Sequence, residues 1–306
     1  IKVKSFEVPA GSFIVKNSSQ VQKSLLALLA KWPARVYGLE DATPISKAPL
    51  KNQRIGLYQS WRSNMDEGWT RFVFDDLGIP YKTLHNSDFR GTEKEKANLK
   101  SKYDVIVFAD ENIDIIKTGK PSPTSEFARF FSANYPPEYE GGIEKEGVDA
   151  LKAFVEEGGM LVTLNTACEL VLKEFQPPAR NALERVERTK FFCPTSLLRI
   201  SVDNTTPIGY GLPQEAAAMF ARSLAFDTWT PPFEWERKVV AAYPEEGILL
   251  SGWLLGEDSI ARKAAVVDTQ YKKGHIILIG FRCQHRAQSH GTYKFLLNSL
   301  LYPEVK

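Results

Sequence analysis

The chain is poor in thiols and imidazoles, with three cysteines (Cys168, Cys193 and Cys283) and four histidines in 306 residues. An odd number of widely spaced cysteines argues against a closed disulfide framework, and it leaves the compartment open, since an exported protein can also carry free buried thiols. An excess of either charge is also missing. Lys plus Arg outnumber Asp plus Glu by 39 to 37, so there is no basic face that would need a phosphate backbone to neutralise it, and nucleic acid is not an expected partner. The longest apolar runs, such as Ile248–Leu255, reach about half of the ~20 residues a helix needs to cross a bilayer, so no membrane span is expected. No initiator Met and no basic leader with an apolar core open the chain. It starts at Ile1 in a strand-like stretch, as expected of a processed product or an excised piece. Neither G-x-G-x-x-G nor G-K-[ST] occurs, which removes the sequence basis for a nucleotide, flavin or nicotinamide cofactor.

What is present is a globular core, since 43% of the residues are hydrophobic. Residues 1–48 differ in character from 49–306 and read as an N-terminal segment and linker, a remnant of an upstream domain or a bridge to one. Phe6–Lys16 predicts a small strand-turn-strand with its turn at Gly11, and Gln20–Lys31 has the three-four spacing of an amphipathic helix. Ala42–Lys51, with two prolines, reads as the linker. Strands and helices then alternate. Strands are predicted at Arg54–Gln59, Tyr81–His85, Asp104–Ala109 and Met160–Leu164, and helices at Asp66–Leu77 (stopped by Gly78), Thr92–Lys100 and Glu146–Glu157. Continuous apolar strands separated by amphipathic helices are what a parallel sheet covered on both faces requires. The expected fold is therefore α/β, a doubly wound, mainly parallel sheet with a β-rich C-terminal half. In that half, strands are predicted at Leu197–Asp203, Val239–Tyr243, Ile248–Leu255, Ala264–Thr269 and His275–Phe281, with helices at Pro213–Ser223 and Thr292–Tyr302. Residues 119–142 form a long connection rich in aromatics, read either as a flap over the strand ends or as an inert surface insertion.

In such sheets the functional crevice lies beyond the carboxyl ends of the strands, where Gln59, His85, Asp110 and Cys168 all fall. Cys168 stands between an apolar strand and a helical pattern. That is the place of an activated nucleophile near backbone N–H groups, and equally the place of a buried structural thiol. The flanking residues, Thr166-Ala-Cys-Glu-Leu170, are bulkier than the small residues a tight nucleophile turn favours. His285 and His290 follow the last strand in Gly280–Gly291. His285 is the candidate base, but no carboxylate follows it, and an acid would have to come from Asp66, Glu67 or Asp110. The spacing of Cys283, His285 and His290 matches no zinc motif, so no metal is expected there. Arg282, Gln284, Arg286 and His290 instead read as a polar loop able to grip a carboxylate or sugar hydroxyls through guanidinium forks. Trp61, Asn64 and Trp69 are further pocket candidates, with Trp69 in the helix core and Trp61 packing its loop as the alternative.

From about residue 50 onward, the strings Arg54–Trp61, Met65–Arg71, Leu84–Asp88, Pro136–Ile143, Phe192–Arg199, Leu250–Glu257 and Gly280–Lys294 resemble the C-terminal region of bacterial carboxypeptidase A-like zinc metallopeptidases. That region is similar in fold to flavodoxin-like class I glutamine amidotransferases and to trehalose-utilisation-like proteins, and Thr206–Pro213 resembles one of their segments. The resemblance places Cys168 at the nucleophile and His285 at the base. Thr166 and Leu170 stand in place of the two glycines of the nucleophile turn, however, and Ala287 stands in place of the glutamate. It thus implies an accessory, non-catalytic amidotransferase-like domain that binds a small polar ligand or packs on an upstream peptidase domain. Zinc is implied only for that absent domain, and a periplasmic or secreted location for the parent. The alternatives are a cysteine-dependent amidase or hydrolase using Cys168 and His285, and a carbohydrate-binding module drawing on the Trp and Tyr content.

Overall fold

The structure, a computed structural model, describes residues 2–3, 6–40, 49–91, 97–122 and 135–302, with residues 2–3 and 6–7 as backbone only. The chain opens with the paired strands β1 (Lys2–Val3) and β2 (Phe6–Glu7). The expected strand-turn-strand across Gly11 is not there: the pairing lies upstream of that glycine, and residues 12–18 form no strand. Helix α1 (Ser19–Lys31) matches its amphipathic pattern. The Ser18 side chain accepts from the Val21 amide at its start, and Trp32-Pro33 stops it. Most of the expected linker, residues 41–48, lies outside the described residues.

The alternation that follows is β3 (Ile55–Tyr58), α2 (Met65–Asp76), β4 (Lys82–Leu84), α3 (Asn86–Arg90), α4 (Leu99–Lys102), β5 (Val105–Phe108), α5 (Ile113–Thr118), α6 (Glu144–Glu156), β6 (Met160–Leu164) and α7 (Cys168–Glu174). The helix predicted at Thr92–Lys100 falls largely on residues 92–96, outside the described set, and its last residues belong to α4. Then come β7 (Ala179–Asn181), β8 (Ser196–Val202), β9 (Glu215–Phe220), β10 (Phe226–Thr228), β11 (Trp235–Ala242), β12 (Leu249–Ser251), β13 (Ala264–Tyr271), β14 (Gly274–Ile279) and the closing helix α8 (Tyr293–Leu301).

Strands β3, β4, β5, β6 and β14 pair in parallel, in the order β4-β3-β5-β6-β14. Counted among themselves these five run second, first, third, fourth, fifth. The β13–β14 hairpin, turned at Lys272 (φ 51°), passes this half of the sheet on to an antiparallel half made of β13, β11, β8, β12, β9, β10 and β7. The sheet is mixed, and the expected parallel sheet is one half of it.

Side chains alternate along the parallel strands with period two. Ile55, Leu57, Val105, Val107, Met160, Val162, Leu164, Ile277 and Ile279 join one core, with Phe74 of α2 and Phe295, Leu296 and Leu300 of α8. Tyr58, Ile106, Phe108, Leu161, Ile276 and Leu278 join the other, with apolar residues of α3 to α7. Each buried aliphatic contributes on the order of 1.5–3 kcal/mol. That outweighs the weak propensities of the short helices and explains why the sheet needs cover on both faces.

Two elements depart from expectation. Pro213–Ser223 is not a helix. Glu215–Phe220 is strand β9, in continuous antiparallel register with Ser196–Ser201 of β8. An alanine run has the best helix propensity, worth only a few tenths of a kcal/mol per residue. The ladder with β8 and the burial of Ala218 and Phe220 override it. The strand expected over Ile248–Leu255 is cut to β12 by Gly252 (φ 105°), where a Cβ would lie 2.9 Å from the Ser196 Cβ.

Candidate functional site

The carboxyl ends of β3, β5, β6 and β14 bring three acidic side chains around one guanidinium. Asn64 caps α2, accepting from the amides of Asp66 and Glu67 at 2.9 and 3.2 Å, and this fixes Asp66 in the first turn. Asp110 and Glu111 follow β5. Arg282 follows β14, its Nε 3.0 Å from Asp66 Oδ1 and donating to Asp110 Oδ2 at 3.1 Å, while its Nη2 donates to that same Asp110 oxygen. The other Asp110 oxygen accepts from the Thr166 amide at 2.9 Å and from the Thr166 hydroxyl, which ties β5 to the turn after β6. Glu111 accepts from Ser60 at 3.0 Å and from Asn64 at 3.2 Å. Burial, with the nearby Asp110 charge, pushes the Asp66 carboxyl up to about 7 against the pull of Arg282, and burial also raises Glu111. Among the described residues Asp66 Oδ1 has no partner in hydrogen-bond geometry despite its closeness to Arg282.

The expected nucleophile is elsewhere. Cys168 is fully buried, with ordinary helical backbone (φ −58°, ψ −27°) in the first turn of α7. Its Sγ accepts from the Thr163 hydroxyl at 3.4 Å and faces the carbonyls of Thr163 and Ile279 at 3.3 and 3.6 Å. Burial pushes this thiol far above its ordinary value. Of the two readings of Cys168, the exposed nucleophile is corrected and the buried structural thiol holds: the turn is spent on residues 165–167, and the cysteine lies in the core. The strained residue directly after β6 is Asn165, at φ 51°. Its side chain is fully buried, and neither amide atom has a hydrogen-bond partner among the described residues.

His285 packs edge-on against Trp69 of α2, with ring centroids 4.9 Å apart. Its Nδ1 is buried without a partner among the described residues, none of whose carboxylates orients it, and burial together with Arg282 and Arg286 lowers its pKa. The proposed acids are otherwise engaged, Asp66 and Asp110 with Arg282, and Glu67 with Arg71. Cys168, His285 and an acid do not form a triad.

The expected ligand-binding residues divide. Asp110 and Arg282 meet, but the Arg282 fork is consumed by Asp110 and Asp66, so the expected grip on a ligand carboxylate through this arginine does not hold. Gln284 is fully buried and donates to Thr70 at 2.9 Å, a structural tie between α2 and the loop after β14. Arg286 is exposed, and His290 is exposed and stacked on Tyr293. Gln59, Trp61 and His85 form a separate group. His85 Nδ1 lies 3.0 Å from the Gln59 carbonyl, which can only accept, so Nδ1 carries the proton. Trp61 stacks on His85 at 3.7 Å and meets Tyr139 edge-on at 4.6 Å. The described end of the long connection therefore does reach the β3 strand end, while residues 123–134 lie outside the described set. The adjoining cavity, lined by Ser60, Trp61, Arg62, Asn86 and Tyr139 among others, holds about 60 Å³. That is room for about two waters.

Sequence reasoning named Asn64 as a pocket residue but not as the cap of α2, named Thr166 only as a flank of the turn and not as a partner of Asp110, and missed Glu111 and Asn165. Two signals were available: an Asn before a helical pattern is a capping residue, and Asn is a residue that tolerates positive φ after a strand.

No family model matches the chain, and no curated protein does. Among solved structures the chain is similar to a ThuA-like protein from Bacteroides uniformis, at 13% identity over 86% of this chain and 95% of that one, TM-score 0.47. It is also similar to a cytoplasmic protein from Salmonella typhimurium, at 12% identity over 82% and 98%, TM-score 0.47. A β-galactosidase from Bacillus circulans shares 11% identity over 84% of this chain but only 32% of its own, TM-score 0.44. Likeness at this level concerns the path of the chain and carries no statement about activity.

Proposed function

We propose that residues 49–306 are a doubly wound, flavodoxin-like module of the class I glutamine amidotransferase type that performs no thiol chemistry and offers a polar crevice at its strand ends to a small ligand. The observation that carries this reading is the occupant of the strand-to-helix elbow. In elbow enzymes the nucleophile is the strained residue itself. Here that residue is Asn165, an amide with no nucleophilic atom of use, and the nearest thiol is sealed in the core behind it. The strand order second-first-third-fourth-fifth and the helical cover of both faces support the scaffold assignment.

The crevice selects by charge. Asp66 and Asp110 share the Arg282 guanidinium and Glu111 adds a third carboxyl group nearby, so the ligand that fits is rich in hydrogen-bond donors or cationic, a primary amine or a polyol rather than a carboxylate. In the parent suggested by the sequence resemblance, a zinc carboxypeptidase, this module is accessory to an upstream peptidase domain. An upstream reading frame with H-x-x-E and a later histidine would support that part.

The test has two arms. Wild type and Cys168→Ala are assayed against amide, ester and glutamine substrates, and equal background rates are expected; turnover that vanishes in the variant overturns the reading. Thermal shift against panels of amines, polyols and carboxylates is expected to respond to the first two. A response to carboxylates alone overturns the charge assignment.

A further inference from the structure

Residues 8–39 contain no acidic side chain and four cations, Lys16, Lys23, Lys31 and Arg35. With a formal charge of +2 for the whole chain, removing these four leaves −2 for the remainder. Within it α1 is segregated. Val21, Leu25, Leu28, Leu29 and Trp32 follow the three-four spacing of one stripe, with Val21, Leu25 and Leu29 half-buried, whereas Lys23 and Ala27 lie on the opposite side and Lys31 on the flank. No residue of α1 is buried. Leu26 is 69% exposed, Leu28 49% and Trp32 56%, and just upstream Phe13 is 66% exposed. Eight of the nineteen large hydrophobic residues exposed among the described residues fall between Phe13 and Tyr37. Such a concentration marks an interaction surface.

We propose that residues 13–37 are an interfacial arm that lays α1 flat on an anionic lipid surface. The charge decides the occupant. An acid-free segment that carries four cations around a Leu- and Trp-bearing stripe, Lys23 opposite it and Lys31 on its flank, is complementary to a negatively charged headgroup layer over an acyl boundary. At 13 residues the helix is about 20 Å long, too short to span a bilayer. Gly11, whose Cβ position would lie 2.6 Å from the Tyr210 Cβ, anchors the arm to the loop between β8 and β9. The lipid-bound helix is thus held close to the module. This inference stands apart from the strand-end crevice and does not depend on it.

The experiment is co-sedimentation of the whole chain with vesicles of pure phosphatidylcholine and of an equal mixture of phosphatidylglycerol and phosphatidylcholine, at low and high salt. Binding is expected to the anionic vesicles, at least tenfold weaker to the neutral ones, and falling with salt. The double variant Leu25→Glu/Leu28→Glu is expected to lose binding at least tenfold. Its far-UV circular dichroism and thermal midpoint are expected to stay as in wild type, because no core residue changes. Lys23→Glu/Lys31→Glu is expected to weaken binding and flatten its salt dependence. The blue shift of tryptophan emission on binding is expected to shrink in Trp32→Phe. Equal binding to both vesicles, or binding untouched by Leu25→Glu/Leu28→Glu, overturns the proposal. So does a chain that ignores both vesicles and instead self-associates through α1, seen as a dimer that this double variant dissociates.

Discussion

Asp66 is the side chain whose surroundings are most at odds with its chemistry. Burial and the neighbouring Asp110 hold its carboxyl up near 7, far above the unfolded value, so the folded state binds a proton that the unfolded state has already released. A raised carboxyl pKa contributes stability that is full below the unfolded value and lost as the pH rises through the folded one. The stability of wild type relative to Asp66→Asn is therefore expected to fall between about pH 4 and pH 7 and then level off. Urea denaturation of both proteins across that range checks it, and a flat difference would contradict it. Arg282 holds the cluster together. Arg282→Met leaves Asp66 and Asp110 facing each other without a cation, and at alkaline pH is expected to cost about 3–5 kcal/mol. The cost is expected to be smaller below pH 6, where Asp66 takes up a proton. At the elbow, Asn165→Gly is expected to stay within about 1 kcal/mol of wild type, since glycine accepts positive φ. Asn165→Val is expected to cost about 1–3 kcal/mol more than the glycine variant. Equal stability of the two, by chemical denaturation, would remove the case for a strained turn.

Among the elements, β9 shows where reading from residues alone runs out. Ala216-Ala217-Ala218 favours a helix locally, and only the need of β8 for a partner along Ser196–Ser201 makes it a strand, a demand that comes from residues distant in sequence. Ala217→Thr, at an exposed β9 position, is accordingly expected to leave the thermal midpoint unchanged or slightly raised, whereas in a helix it would lower it. The parallel strands were legible because burial on both faces writes itself as continuous apolar runs: Val105–Phe108 and Met160–Leu164 read as strands before any fold is known. The short helices α3 and α5 carry no such signature, since five or six residues are too few to show a period. Gly252 was readable as glycine, but not as the point where β12 ends, because the crowding by Ser196 that it relieves comes from another strand.

Taken together, the two halves of the sheet divide the work. The parallel half sets four strand ends side by side and gathers Asp66, Asp110, Glu111 and Arg282 there, while the antiparallel half extends the core and carries none of these groups. That the strand ends would lie side by side could be read from the α/β alternation, and Asp110 and Arg282 do meet there. The charge of the crevice could not, because a sequence does not tell whether an arginine fork faces a ligand or two aspartates of its own chain. Nor could the three-residue offset that puts Asn165 on the turn and Cys168 in the core, since the length of the turn depends on how Thr166 is held by Asp110. The central claim is that no reactive thiol stands at the strand ends, and mass-spectrometric alkylation with iodoacetamide near neutral pH tests it most directly. Cys168 is expected to remain unmodified in the native chain and to label at the rate of unfolding, alongside the equally buried Cys283, whose thiol is pushed up to about 12. Rapid native labelling at Cys168 that His285→Ala slows would contradict the account.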